Sequence, residues 1–178
     1  PGRYKARVFV ATRGAEPAPE PPAIAKYRVP TLPFPLRGQS NVFSADRADH
    51  GTGLLLSVLE GQPPVSQAVD LACGNGIVGL HLLQWQQAAS VLFADESAMA
   101  IASARLNLPS QWQAVAGFHH GDGLQGSTVR AELIVLNPPF HLGHVVDEYA
   151  GRRLIRQAHD ALLPGGRLLL VFNSHLKY

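Results

Sequence analysis

The run Asn137-Pro138-Pro139-Phe140 is the most specific chemical signal in the chain. The exocyclic amine of a nucleobase is a poor nucleophile, because its lone pair is delocalised into the ring. An Asn side-chain oxygen and the Pro138 carbonyl can both accept hydrogen bonds from such an amine, and the prolines remove competing N–H donors. Phe140 can stack on a base that has left its helix. The run indicates chemistry at a planar amine, and the alternative is a rigid Asn-Pro turn at a strand end.

A second cluster contains a glycine turn and two acidic residues. The segment Asp70-Leu-Ala-Cys-Gly-Asn-Gly76 follows a predicted strand and opens a predicted helix, whose N-terminus offers unpaired N–H groups. Asp95 closes the next strand about 20 residues later, where a carboxylate can accept both ribose hydroxyls. The leading acid in D-x-x-x-G-x-G suits a cofactor with a cationic amino-acid part rather than a pyrophosphate. The alternative is a tight turn without a ligand.

The elements around these residues alternate between strands and helices. Apolar strands are predicted at 67–72, 90–94, 113–119, 131–136 and 167–172, and helices at 77–85, 97–107 and about 145–163. This order predicts an α/β fold with a mostly parallel sheet and helices on both faces. Ligands bind such sheets beyond the carboxyl ends of the strands, where the polar residues fall. Further expectations are that Pro164–Gly166 stops the long helix, that Leu54–Leu56 and Leu82–Leu83 are core, and that Ile77, Leu80, Leu83 and Trp85 face inward.

Composition excludes several classes of protein. The chain has 178 residues, 46% of them hydrophobic and 16% charged, with one Cys and a net charge of +2. These values exclude a disulfide scaffold and a wholly disordered or coiled-coil chain, and favour a reducing compartment, the cytoplasm. No apolar run reaches the roughly 20 residues that span a bilayer, so no membrane partner is expected.

Half of the prolines lie between Pro17 and Pro35, so residues 1–25 are expected to be the end of a preceding domain plus a linker.

The order of motifs resembles a known family. Its segments are Asn41-Val-Phe-Ser44 with Asp49-x-Gly51, Asp70–Gly76, Asp95-Glu-Ser97, Ala102–Asn107, Asn137–His141, Leu163–Gly166 and Asn173–Tyr178. Over about residues 26–178 the chain looks like the catalytic half of ribosomal RNA guanine-N2 methyltransferases of the RsmC/RlmG type. These are class I S-adenosylmethionine (SAM) methyltransferases with a Rossmann-like fold. The Asp-Glu-Ser-x-Met-Ala segment and the closing Asn-x-His-Leu-x-Tyr segment favour the large-subunit 23S RNA over the 16S RNA.

This resemblance implies roles for individual residues. Around the methionine part of SAM it implies Asp70, Cys73, Gly74 and Gly76; at the ribose Asp95 with Glu96 beside it; at the adenine amine Asp122. The catalytic set would be Asn137, Pro138 and Phe140, and Asn137 would also border the cofactor. Phe43, Pro139 and His141 would lie on the substrate side, with Asn41 beside Phe43 at the entrance. The resemblance further implies a preceding methyltransferase-like domain and a domain that lacks its last strands.

Other functions remain open at the level of sequence. The Asn-Pro-Pro-aromatic turn serves a glutamine amide of a protein or adenine N6 equally well, and a silent RNA-binding domain is a third class. His141-x-x-His144 lacks the spacing and the Glu of a zinc helix, so no metal is expected. Arg152, Arg153 and Arg156 either touch RNA phosphates or form a solvated helix face.

Overall fold

A five-stranded sheet forms the centre of this computed structural model, which describes residues 10, 12, 25–39, 42, 49–138 and 148–172. The elements in chain order are β1 (Ala25–Tyr27), β2 (Leu36–Gly38), α1 (His50–Leu59), β3 (Val65–Leu71), α2 (Ile77–Gln84), β4 (Ala88–Asp95), α3 (Ala98–Asn107), a 3-10 helix (Ser110–Trp112), β5 (Ala116–His120), β6 (Ala131–Leu136), α4 (Glu148–Ala161) and β7 (Leu162–Leu170). The predicted parallel α/β fold is confirmed.

The order of the strands defines where a ligand can bind. The strands lie in the order β5-β4-β3-β6-β7, and each neighbouring pair is parallel. The chain moves outward from β3 through β4 to β5 and then returns to β6 on the other side of β3. At such a reversal the connections leave in opposite directions, and a crevice opens at the carboxyl ends of β3 and β6.

Helices cover both faces of the sheet, because side chains of the buried strands alternate between two cores. Ala68, Phe93 and Leu133 belong to the core that α1, α2 and α3 cover. Val69 and Ile134 belong to the core that α4 covers with an apolar stripe. That stripe consists of Leu154, Ala158 and Ala161, as their helical spacing predicts, whereas Leu162, predicted on the same face, is the first residue of β7.

Close packing between α2 and β4 requires a glycine. Phe93 is fully buried and stacks on Phe118 at a centroid distance of 5.2 Å. A Cβ on Gly79 would lie 2.2 Å from the Phe93 ring, so a larger residue would push α2 away from the sheet. The Arg105 guanidinium lies 4.1 Å from the centroid of Phe118 and covers the outer side of this pair.

The hairpin of β1 and β2 is fastened to the rest of the domain by Asn107, the last residue of α3. Asn107 Oδ1 accepts a hydrogen bond from the Arg37 N–H at 2.8 Å, and Nδ2 donates to the Arg37 carbonyl at 2.8 Å. The same Nδ2 also donates to the Asn75 carbonyl at 3.0 Å. One amide therefore joins the hairpin, α3 and the loop after β3.

Two predictions of buried side chains were wrong. Trp85 is 58% exposed, and its Nε1 donates to the Thr31 carbonyl at 2.9 Å. Leu54 is 57% exposed on the outer face of α1, whereas Leu55 and Leu56 are buried. Trp85 follows the last residue of α2, so the helical period that predicted its direction no longer applies to it.

The end of the chain also differs from prediction. The long helix ends at Ala161, and Pro164–Gly166 lie inside β7 instead of stopping a helix. Leu162 pairs with Ala131 while Arg167 pairs with Leu133, so the residues between them bulge out of register. The segment Tyr4–Ala11, whose β-forming residues predict a strand, and the closing segment 173–178 lie outside the described residues, apart from Val10. In the part of the chain that the structure describes, no helix is long and apolar enough to cross a membrane.

Candidate functional site

The loop after β3 is shaped by three residues in the left-handed region. Ala72, Gly74 and Gly76 have φ values of 59°, 54° and 85°. The Gly76 N–H donates to the Cys73 carbonyl at 2.8 Å, which closes the turn just before α2 begins. A Cβ on Gly76 would also lie 3.1 Å from Cβ of Ala104, so glycine allows the loop to approach α3.

Asp95 at the end of β4 fixes this loop. One carboxylate oxygen accepts from the Gly74 N–H at 2.9 Å, and the other accepts from the Ser97 N–H at 2.8 Å. Each carboxylate oxygen has two lone pairs, so each keeps one for a further donor. The geometry can therefore accept two hydroxyl groups of a ligand without releasing the loop.

Asp70 is the second-last residue of β3, directly before the loop. Its side chain is buried, and Oδ2 accepts from the Gly79 N–H of α2 at 2.8 Å. Burial, together with repulsion from Asp95, raises the pKa of this carboxyl to about 8, against the lowering effect of the Gly79 N–H. Asp70 therefore holds its proton near neutral pH in the ligand-free protein, and a cationic ligand close to this end of the sheet would favour its ionised form.

Cys73 is the buried side chain of this loop. The Cys73 side chain is buried in the core, and burial raises the pKa of its thiol well above the usual value. A protonated, buried thiol is a packing residue and a poor nucleophile.

Asp122, after β5, contacts α4. Its Oδ2 lies 2.6 Å from a guanidinium nitrogen of Arg153, and its carbonyl accepts from Gln157 Nε2 at 3.2 Å. Asp122 Oδ1 is buried and has no hydrogen-bond partner among the described residues. This oxygen thus lacks the donor that a buried carboxylate oxygen normally has.

Asn137 is the first residue after β6 and reaches towards α1. Its side-chain Nδ2 lies 3.1 Å from Thr52 Oγ1 and 3.4 Å from Asp49 Oδ2. Asp49 is the N-cap of α1, where Oδ1 accepts from the Gly51 N–H at 2.8 Å and the Thr52 N–H at 3.2 Å. Pro138 follows and is buried.

These strand ends surround one cavity of about 190 Å³. The residues lining it come from the end of β3 and the loop after it, the end of β4, α3, the segment after β5, the end of β6 and α4, with Val42 beside them. They are Val42, Leu71, Ala72, Gly74, Asp95, Glu96, Ser97, Ala100, Gly123, Asn137, Ala150, Arg153 and Leu154.

The structure thus brings four predicted site residues to the cavity wall: Gly74, Asp95, Glu96 and Asn137. Asp70, Cys73, Gly76, Asp122 and Pro138 are close by in the fold but do not line it. Phe43, Pro139, Phe140 and His141, with Asn41, lie outside the described residues. No three His, Cys, Asp or Glu side chains cluster as metal ligands within the described ranges.

Sequence reasoning missed two features of this site. Arg153 was expected on RNA or on a solvated face, yet it lines the cavity and pairs with Asp122. Thr52 carried no signal of its own, although Asp49 and Gly51 beside it belong to the motif set that resembles the family. The only signal in the sequence that could have indicated Thr52 is the N-cap Asp49, three residues before it.

Comparison with known proteins agrees with this geometry. The family model described as "Methyltransferase small domain" matches residues 34–178. The chain therefore belongs to the methyltransferase small domain family, and its sheet is the Rossmann-like class I methyltransferase fold.

Relatives at higher identity are longer than this chain. "Ribosomal RNA large subunit methyltransferase G" of Alcanivorax borkumensis is 42% identical over 85% of this chain and 39% of the relative. The protein of the same name from Pseudomonas paraeruginosa is 38% identical over 98% of this chain and 47% of the relative. The chain thus spans less than half the length of these curated relatives.

A similar solved structure is the T. thermophilus 16S rRNA N2 methyltransferase RsmC in complex with AdoMet and guanosine. It has a TM-score of 0.71 and 28% sequence identity to this chain, and the match covers 86% of this chain and 43% of that one.

Proposed function

We propose that this chain is the catalytic part of a SAM-dependent methyltransferase that methylates the N2 amine of a guanine in ribosomal RNA, with 23S RNA favoured over 16S RNA. The observation that carries the proposal is that Asp95 and Asn137, at the ends of two strands, line one cavity. The names of the relatives, large-subunit methyltransferase G, and of the similar RsmC structure support the substrate.

The residues around the cavity fit SAM. Asp95 keeps one lone pair on each oxygen for the ribose hydroxyls, with Glu96 beside it. The ionised form of Asp70 is disfavoured by burial and by Asp95, so a cationic ligand near the loop of Cys73, Gly74 and Gly76 would relieve it. Asp122 offers a buried, unpartnered oxygen to the adenine amine.

Bound SAM supplies an electrophilic methyl group. Asn137 Oδ1 and the Pro138 carbonyl accept the two N–H bonds of the amine, which directs the nitrogen lone pair at that methyl group. As the nitrogen attacks, the methyl–sulfur bond would break and S-adenosylhomocysteine would leave. The alkylated nitrogen would then lose a proton to water, so no strong base is needed. Phe140 stacks on the guanine, and Phe43, Pro139 and His141 line the substrate side.

The rest of the protein enters this proposal as well. Residues 1–25 would be the end of a preceding methyltransferase-like domain and its Pro-rich linker, and residues 26–178 the methyltransferase domain without its last strands. The relatives, at about twice the length, leave room for such a domain. Its substrate would place the protein in the cytoplasm, with no membrane or metal partner.

The test is a methyl-transfer assay of the full-length protein on unmodified ribosomal RNA, naked and assembled into subunits, with mass mapping of the product. We expect N2-methylguanine in the large-subunit RNA. Methyladenine or a methylated protein glutamine would overturn the proposal in favour of the corresponding alternative substrate. RNA binding without any methylated product would favour a silent RNA-binding domain.

Variants of the same protein test the assignment of the catalytic residue. Asn137→Ala should lower the turnover number at least about 100-fold, because the amine loses its side-chain acceptor, while SAM binding measured by calorimetry is retained. The matched control is Gln111→Ala, which deletes an exposed amide and should leave both quantities unchanged. Normal turnover in Asn137→Ala would contradict the assignment.

A further inference from the structure

The side-chain amide of Asn137 is held by the first turn of α1. Its Nδ2 lies 3.1 Å from Thr52 Oγ1 and 3.4 Å from Asp49 Oδ2, and the Thr52 hydroxyl in turn hydrogen bonds to Asp49 Oδ2. Thr52 is 4% exposed, so water competes little for its hydroxyl. Nothing in the chemistry of an N-cap requires this contact with a residue on a distant strand.

The charges dictate the direction of these hydrogen bonds. An ionised carboxylate only accepts, so Asp49 takes the proton of the Thr52 hydroxyl and an N–H of the Asn137 amide. The Thr52 oxygen, having donated to Asp49, presents its lone pairs to Asn137. Donation therefore runs from Asn137 through Thr52 to Asp49, and an inverted amide would set Oδ1 against a carboxylate.

This direction leaves the other end of the amide for a ligand. Oδ1 of Asn137 accepts no hydrogen bond from any residue that the structure describes, and Asn137 lines the cavity. An amide fixed in this sense offers an acceptor to the cavity and never a donor. It attracts an N–H group and repels a carbonyl or a ring nitrogen.

A glycine permits α1 to come so close. A Cβ on Gly51 would lie 3.0 Å from Asp49 Oδ1, 3.3 Å from Val171 Cγ1 and 3.5 Å from Asn137 Oδ1. The first two distances are tighter than ordinary contacts, so a side chain here would force the side chains of Asp49 and Val171 to shift.

We infer that Asp49 and Thr52 are positioning residues, which lock the amide of Asn137 with Oδ1 as the acceptor for the substrate amine. The inference rests on the proposed function for the identity of that amine. It extends the catalytic machinery from the turn after β6 to a helix 85 residues earlier in the chain. It also gives the site a reason to select exocyclic amines over oxygen nucleophiles that lack N–H groups.

The test replaces the hydroxyl and the carboxylate by groups of the same shape. Thr52→Val removes the hydroxyl, and Asp49→Asn keeps the N-cap but can present an NH₂ group to Asn137. We expect the turnover number on ribosomal RNA to fall roughly 10- to 100-fold in both, as for the loss of a hydrogen bond to a charged group. The KM for RNA and the Kd for SAM should stay within about twofold, because neither ligand loses a direct contact. Thr52→Ser should restore turnover.

A control and a second readout separate this inference from the proposed function. Ser57→Ala, which deletes an exposed hydroxyl on the same helix, should leave turnover unchanged. Hydrogen exchange of the Asn137 side-chain amide by NMR requires no substrate: it should be slow in the wild type and in Thr52→Ser, and fast in Thr52→Val. Equal exchange in all of these proteins, or full turnover in Thr52→Val, would overturn the inference. An inactive wild type with a protected amide would overturn the proposed function alone.

Discussion

At the scale of single residues, the site combines groups that the fold holds in unfavourable states. Asp70 is a carboxyl buried without a counter-charge among the described groups that shift its pKa, and Ala72 has a left-handed φ of 59° where glycine would be free of strain. Sequence alone indicated Asp70 as a charged partner for a ligand. Its burial and its hydrogen bond to Gly79 follow from the packing of α2, which no local pattern contains.

The raised pKa of Asp70 predicts how stability depends on pH. Because the folded pKa of Asp70, about 8, exceeds the ordinary value of 3.8, the stabilising contribution is complete below pH 3.8 and is lost as the pH rises to about 8. Within this window the free energy of unfolding of the ligand-free protein should fall by on the order of 1 kcal/mol per pH unit from this group. Asp70→Asn keeps an acceptor for Gly79 and should flatten the profile.

Urea unfolding at a series of pH values measures this difference. The control is Asp160→Asn, since the Asp160 side chain is 70% exposed. Parallel profiles for the wild type and Asp70→Asn between pH 4 and 8 would show that Asp70 titrates normally in the folded protein.

At the scale of elements, Asn107 connects the hairpin of β1 and β2 to α3 and to the loop after β3, both of which line the cavity. Asn107→Asp preserves the shape but removes both donated hydrogen bonds and sets a carboxylate against the carbonyls of Arg37 and Asn75. We expect the free energy of unfolding to drop by about 2–4 kcal/mol, since a buried charge lacks partners there. Thermal unfolding checks this, with the exposed Gln113→Glu as a control. A change below 1 kcal/mol would mean that water replaces the donors.

Elements with strong local signals were predicted well. The observed bounds of β6 are the predicted ones, 131–136. The helix α3 begins after Ser97, whose hydroxyl accepts a hydrogen bond from the Ala100 N–H as an N-cap. These signals are an unbroken apolar run and a cap followed by a helix-forming stretch, both of which act locally.

Elements that depend on distant contacts were missed. The first helix contains Gly51 and Gly53, which weaken its helical pattern, and it is stabilised by the Asp49 cap and by packing of Leu55 and Leu59. Pro164 and Gly165 are typical of a stop, yet β7 tolerates them where its register shifts against β6. The same distinction holds at the site. The residues at the strand ends were predicted, whereas Thr52 of α1, which contacts Asn137, and Arg153 of α4, which lines the cavity, were not.

At the scale of the whole molecule, the cavity and the RNA-binding surface should be separable. All residues lining the cavity fall between Val42 and Leu154, whereas the net charge of the chain, +2, is small for the proposed polyanionic RNA substrate. A fragment of residues 26–178 should bind SAM within about twofold of the full-length protein. Its affinity for ribosomal RNA should be at least about tenfold weaker, because phosphate contacts dominate such binding.

Calorimetry with SAM and filter binding with RNA over a range of salt concentrations measure the two affinities. Equal RNA affinity and an equal salt slope for fragment and full-length protein would contradict this separation. Loss of SAM binding in a folded fragment would show that the two parts share the cofactor site.

The hydrogen bond between Asp49 and Asn137 spans 88 positions of the chain. Contacts of such long sequence separation form late in folding, because the loop they close must be ordered first. The polypeptide emerging from the ribosome therefore has no competent pocket until β6 has docked on β3. A ligand that binds this pocket would therefore bind only after the strand order is complete, and it would stabilise the folded sheet in proportion to the logarithm of its concentration.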